Sequence, residues 1–271
     1  MPGDSRKIGL ARALSKLGFC SRSQATQLIR AGRVRLNGEV RRGPETPVRL
    51  EHDRIRVDGH SIESADKVYL AMNKPRGLVT TAADEKGRDT VYSILAKAGE
   101  SLPWVAPVGR LDKASEGLLL LTNDSEWAAR VAAPETHLNK TYHVQIGIVP
   151  DEEFFKSIVR GVNCDGELLR VRRAHLLRSG EKNCWIEITL DEGKNRQIRR
   201  MMESLAIDVL RLMRVAIGPL QLGTLAKGSF RWLSAAEKIA LDRAMLPAGK
   251  KLQPQRTRSR TKEAVAQLRV P

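Results

Sequence analysis

The stretch Gly109-Arg110-Leu111-Asp112-Lys113-Ala114-Ser115-Glu116-Gly117, followed by Leu118 to Leu121 and Thr122-Asn123-Asp124, constrains this chain more than any other. Four consecutive leucines between a glycine and a polar turn read as a strand buried in a sheet. Asp112 stands just before that strand, so its carboxylate is held near a strand end, where a fixed catalytic acid can sit. Taken alone, an aspartate in such a place is better explained as a turn residue bonding its own backbone.

A length of 271 residues fits two domains, or one large domain with an appendage, and either can bury a core. The formal net charge of +16 calls for a polyanionic partner, because Lys and Arg gain affinity by displacing counterions from phosphates. The excess is uneven: +6 in residues 1–65, +4 in residues 66–249 and +6 from Lys250 onward. A catalytic body with basic attachments that grip nucleic acid fits that distribution. No stretch approaches the ~20 continuous apolar residues of a membrane span, and the N-terminus lacks the apolar core of a signal peptide, so a membrane partner is not expected.

Cys20, Cys164 and Cys184 are odd in number and far apart, which argues against a disulfide framework and for a reducing cytoplasm. His52, His60, His137, His143 and His175 are scattered and no Cys/His spacing suits zinc, so no metal is expected. There is no phosphate-cradling glycine loop and no nucleotide fingerprint, so no cofactor is expected either.

Taken in order, Ile8 to Leu17 carries apolar residues on one helical face and ends at Gly18. Ser21 offers an N-cap to a second helix that closes at Gly32. Residues 33–38 alternate as a strand with a turn, and Ile55 to Gly59 reads as another short strand. Glu63 to Lys67 is a linker. A strand over Val68 to Thr80 is interrupted by Pro75, which cannot donate to a ladder. Helices follow at Thr90–Ala98, Glu126–Ala133 and Glu152–Val159, with a strand at Lys140–Ile146 and further strands at Leu168–Arg178 and Cys184–Leu190. Asp191 to Met202 opens a helix whose Ile198, Met201, Met202 and Leu205 face inward. Val209–Val215 and Phe230–Leu233 finish the sheet, and Ala235–Leu246 is a last helix. The segment from Lys250 is rich in Pro, Gln, Arg, Ser and Thr, and is expected to be a disordered basic tail. Periodicity alone gives an α+β fold, without the helix-per-strand rhythm of a doubly wound sheet.

The string from Gly109 to Asp124 resembles the catalytic signature of RNA pseudouridine synthases, and is most similar to the branch that modifies bacterial ribosomal RNA through an N-terminal S4-like domain. Its specificity rests on about fifteen positions, far more than a short glycine motif provides. Ser21-Arg22-Ser23-Gln24-Ala25 and Ala31-Gly32-Arg33-Val34-Arg35-Leu36-Asn37-Gly38 resemble the S4 domain, and Asn73-Lys74-Pro75-Arg76-Gly77 resembles the opening of the synthase branch. Ser125 departs from the pattern, standing where a glycine often follows Thr-Asn-Asp. The resemblance implies a mixed, largely antiparallel sheet with flanking helices over residues 66–249, preceded by a small α/β RNA-binding domain over residues 1–65.

It also implies roles. Asp112 is the expected catalytic carboxylate, Tyr142 the aromatic that lies against the target base, and Arg199 the arginine that pairs with Asp112. As a residue, Tyr142 is equally read as a core tyrosine sharing its face with Val144 and Ile146. Arg110 is expected to fill the place of a flipped base, or to be a plain surface arginine. Arg22, Arg33 and Arg35 are candidates for RNA contact against the bland reading of a solvated face. Lys194, Arg196 and Arg200 are candidates for phosphate binding, and Ile198 lies on the helix beside them. Lys74 either touches phosphate or is simply exposed. The expected partner is ribosomal RNA, free or in a subunit or assembly intermediate, with a mild preference for the large subunit, and the expected state is a cytoplasmic monomer. A non-catalytic ribosome-assembly protein and an S4-linked methyltransferase are the competing readings. The first leaves Asp112, Tyr142 and Arg199 without a purpose, and the second lacks a cofactor site.

Overall fold

The computed structural model describes residues 7–81, 87–97 and 102–246; the basic segment from Lys250 lies outside them. Residues 8–62 build a core of their own. Helices Leu10–Lys16 and Arg22–Arg30 pack against a four-stranded antiparallel sheet ordered Glu39–Val40, Val34–Leu36, Ile55–Val57, His60–Ser61. Ser21 caps the second helix as its sequence requires: its hydroxyl accepts from Gln24 N, and the Gln24 side chain accepts from Ser21 N in return. The first helix is shorter than its apolar pattern suggests, because Ile8–Gly9 is extended and pairs with Pro47–Val48.

The rest of the chain is organised by one twisted sheet. Its strands run in the order Arg173–Ser179, Cys184–Leu190, Lys140–Ile146, Val209–Ile217, Glu116–Thr122, Tyr69–Lys74, Phe230–Trp232, with Leu220–Gln221 and Ala106–Val108 attached at the side. Every strand pairing in it is antiparallel except that of Val209–Ile217 with Glu116–Thr122. This is the expected mixed, largely antiparallel sheet.

The leucine strand is buried along its whole length. Leu118 and Leu120 belong to the core under helices Ser125–Ala132 and Ala235–Ala244, while Leu119 and Leu121 belong to the core on the opposite face with Leu111 and Val91. Alternation of side chains across a strand does this, and truncating any of the four to alanine costs about 2–5 kcal/mol. A third core gathers Ile186, Ile188, Ile198, Met201 and Met202 beneath the helix Gln197–Ser204.

The expected strand Leu168–Arg178 is two strands. Glu167–Leu169 pairs with Val162–Cys164, and Arg173–Ser179 with Cys184–Leu190. Between them the backbone bonds elsewhere: Val171 N to Ile158 O, Arg172 N to Thr189 O, and Arg170 O to the Gln197 amide.

Candidate active site

Pro75 ends the strand Tyr69–Lys74, and the chain beyond it folds into a cradle for the aspartate turn. Thr80 Oγ1 donates to Leu111 O at 2.7 Å, and Gly77 N donates to Lys113 O at 2.8 Å. Lys74 Nζ donates to Asp112 O at 3.0 Å, to Ser115 O at 2.8 Å and to Pro75 O at 3.2 Å. The backbone of residues 111–115 is thus fixed from below, and Ser115 N closes the turn onto Asp112 O at 3.0 Å. The Asp112 carboxylate takes no part in this and makes no hydrogen bond or ion pair among the described residues.

Asp112 opens onto a cavity of about 570 Å³ whose wall also includes Tyr142, Lys140, Arg214, Arg110 and Ile198. Tyr142 is half-buried and packs against two of the three cores around the sheet, so it is both a packing residue and part of the cavity wall. Burial and the neighbouring Arg214 lower the Lys140 pKa, opposed by Asp191.

Residues 68–204 match the family described as RNA pseudouridylate synthase. The chain belongs to that family. Residues 8–55 of the synthase match the S4 domain. The synthase is 34% identical over 244 residues to the ribosomal large subunit pseudouridine synthase B of Bacillus subtilis, covering 89% of this chain and 98% of that one. It is 35% identical over 240 residues to an RNA pseudouridine synthase of Aquifex aeolicus, covering 88% and 95%. A crystal structure of a pseudouridylate synthase superposes with a TM-score of 0.58 at 29% identity, covering 86% of this chain and 99% of that one.

Within the synthase, the residues singled out from sequence are not all gathered at the cavity. Asp112, Tyr142, Arg110, Ile198, Lys194 and Arg196 line it. Arg199 does not line it. From the helix Gln197–Ser204 its Nη2 reaches the aspartate turn, yet it donates to Ala114 O at 3.2 Å and its Nε is buried without a partner. The expected ion pair with Asp112 is therefore absent among the described residues, although the two charges are close enough for Asp112 to oppose the lowering of the Arg199 pKa by burial and by Arg196. Arg200 points away, to Glu167 at 2.8 Å and the Cys164 carbonyl at 3.2 Å. Lys194 holds Glu167 and Glu192, each at 3.3 Å, and Arg196 holds Glu203 at 3.1 Å.

Lys74 is corrected outright. It is 0% exposed, with its ammonium on three carbonyls, so it supports the aspartate turn and touches no phosphate. Burial pushes its pKa down to about 8, with Asp112 and Glu116 pulling it back up. From pH 8 to the ordinary lysine value of 10.5 the unfolded chain holds a proton that the native protein has shed, so this site makes stability rise with pH across that window. Denaturant unfolding of wild type against Lys74→Met from pH 7 to 10 is expected to show the difference growing by up to roughly 3 kcal/mol in favour of wild type. A constant difference refutes it.

In the S4 part, Arg22 is exposed at its helix start. Arg33 is spent on Asp58, through Nε at 2.9 Å and Nη2 at 2.5 Å. Arg35 instead lines a depression with Arg54 and Arg56, two arginines that no sequence motif singled out. Arg214 likewise carried no motif-level assignment. A signal for Arg214 existed: Leu212, Arg214 and Ala216 alternate to one face of a strand, and an arginine among such neighbours is out of place unless it has work there.

Proposed function

We propose that this synthase converts a specific uridine of ribosomal RNA to pseudouridine, with a large-subunit RNA as its substrate. The observation that carries the reading is the meeting of Asp112 and Tyr142 at one open cavity, the carboxylate unengaged by the protein and the ring half inside the wall. Near-complete coverage of the Bacillus subtilis large-subunit enzyme supports the choice of ribosomal RNA and of subunit.

The reaction breaks the bond from C1′ to N1 and makes one from C1′ to C5, leaving the atom count unchanged, so no redox partner or energy source enters. Asp112 faces the sugar carbon as nucleophile or as counter-charge to a cationic sugar. Tyr142 lies against the detached base while it turns. Arg199 acts through the turn it holds at Ala114 and keeps the carboxylate in place. A uridine within a helix is out of reach of such a site and has to be extruded, at a cost of a few kcal/mol. Arg110, exposed two residues before Asp112, fills the gap it leaves.

Residues 1–65 dock the RNA and residues 66–249 carry the chemistry. The protein acts as a monomer in the cytoplasm. Arg35 and Arg56 form the basic patch that meets phosphate, with Arg22 beside the helix start. Replacing Arg35 and Arg56 by alanine is expected to weaken binding and reduce the slope of log affinity against log salt by about 2, one for each phosphate left without its arginine. An unchanged slope in filter binding would remove the patch from the interface.

Pseudouridine mapping of ribosomal RNA from cells lacking the gene tests the whole reading. One large-subunit site is expected to vanish and to return with the wild-type gene. A site lost from the small-subunit RNA corrects the substrate, and no lost site overturns the function.

A further inference from the structure

The chemistry so far uses one anion and leaves a buried cation idle. Arg214 stands in the strand Val209–Ile217 with Tyr142 as its partner on one side and Gly117 on the other. It is 6% exposed and lines the same cavity as Asp112 and Tyr142. Its Nε donates to Leu118 O at 2.7 Å, which fixes the direction of the guanidinium, while Nη2 is buried without an acceptor. No carboxylate forms an ion pair with it among the described residues.

A guanidinium keeps its charge at any physiological pH, and burying it without a counter-ion is destabilising unless another acceptor arrives. Propping the leucine strand needs only Nε. The rest of the planar fork is suited to a flat acceptor with oxygens at its edge. Facing residues on neighbouring antiparallel strands lie about 5 Å apart, so a base resting on the Tyr142 ring presents its edge to Arg214.

We propose that Arg214 is a further catalytic residue. On this view, which rests on the function proposed above, its guanidinium donates to the carbonyl oxygens of the extruded uracil and holds the charge that the base acquires on detachment. When the C1′–N1 bond breaks, its electron pair leaves with the base and spreads over N1, O2 and O4, while Asp112 answers the electron deficiency at C1′. After the base turns, an electron pair at C5 forms the new bond to C1′. C5 then gives up its proton and N1 takes one, so nothing is gained or lost overall. A fixed cation at the oxygens favours the detached state over the bound one, the differential stabilisation that raises a rate rather than an affinity.

The test uses full-length Arg214→Ala and Arg214→Lys with full-length transcripts of the large- and small-subunit ribosomal RNAs, under single-turnover conditions. Arg214→Ala is expected to lose about a hundred-fold in rate, with RNA affinity changed less than about three-fold because phosphate contacts dominate it. Millimolar guanidinium chloride should restore much of that rate saturably without shifting the melting temperature, and should leave wild type unaffected. Arg214→Lys, which keeps a charge but not the fork, should fall by about ten-fold or more, and it carries the test if the alanine variant does not fold. A folded variant working at wild-type rate overturns the proposal. So does a loss that follows affinity or stability and ignores guanidinium. Wild type inactive on both transcripts overturns the parent reading instead.

Discussion

An Asp112→Asn protein is expected to fold, to bind ribosomal RNA, and to make no pseudouridine. The amide has the shape of the carboxylate but cannot attack a sugar carbon or balance positive charge on it, so the rate should fall by at least about a thousand-fold. Folding should be untouched because the turn is held through the Asp112 carbonyl, which accepts from Lys74 and Ser115, and not through its side chain. The cost to stability is confined to the lost charge that Asp112 sets against Lys74 and Arg199, and should be about 1 kcal/mol or less. Single-turnover pseudouridine formation beside thermal unfolding checks both halves. Activity above a tenth of wild type would return Asp112 to the rank of a turn residue.

Gly117→Ala is expected to be the most damaging small change to the fold. A Cβ built at Gly117 falls 2.3 Å from the Arg214 carbonyl oxygen and 2.8 Å from its nitrogen, and the residue has φ +103°. Those atoms are backbone of the neighbouring strand and cannot rotate away. The pairing of Gly117 with Arg214 is half of the register that joins Glu116–Thr122 to Val209–Ile217. Strain of about 1–3 kcal/mol for the backbone conformation and a similar amount for overpacking add to roughly 2–6 kcal/mol, which lowers the melting temperature by about 5–20 °C. The variant should also lose activity, since Arg214 and the aspartate turn flank the forced gap. A melting temperature within about two degrees of wild type would mean that the strands separate at little cost.

What could be read from the sequence follows from how local its causes are. The leucine run needed only a two-residue alternation between two cores, and the capping box needed only Ser21 and Gln24 three residues apart. The cavity pairing of Asp112 with Tyr142 came through resemblance, since nothing in the periodicity joins positions thirty residues apart. Lys74 was misjudged because its acceptors at Asp112 and Ser115 come from a turn about forty residues away, and a lysine at a strand end otherwise reads as exposed. Arg199 went to the right turn but to a different oxygen: the helix brings its guanidinium to the Ala114 carbonyl. Arg33 and Arg200 looked free as isolated letters, yet each has a carboxylate partner across its own small fold, Asp58 for one and Glu167 for the other.

The order of strands in the sheet also sets when activity can exist. Val209–Ile217 lies in space between Glu116–Thr122 and Lys140–Ile146, although it follows both in the chain. A nascent polypeptide emerging from the ribosome therefore displays Asp112 and Tyr142 long before the strand that spaces them has been synthesised. On the edge away from Tyr69–Lys74 the leucine strand is meanwhile covered only at Leu120–Thr122, by Ala106–Val108, and insertion of the late strand is what covers Glu116 and Gly117. Closure of that edge and assembly of the cavity are one event, so a half-made chain is unarmed, and a prematurely ended one is left with an adhesive edge in place of a working site.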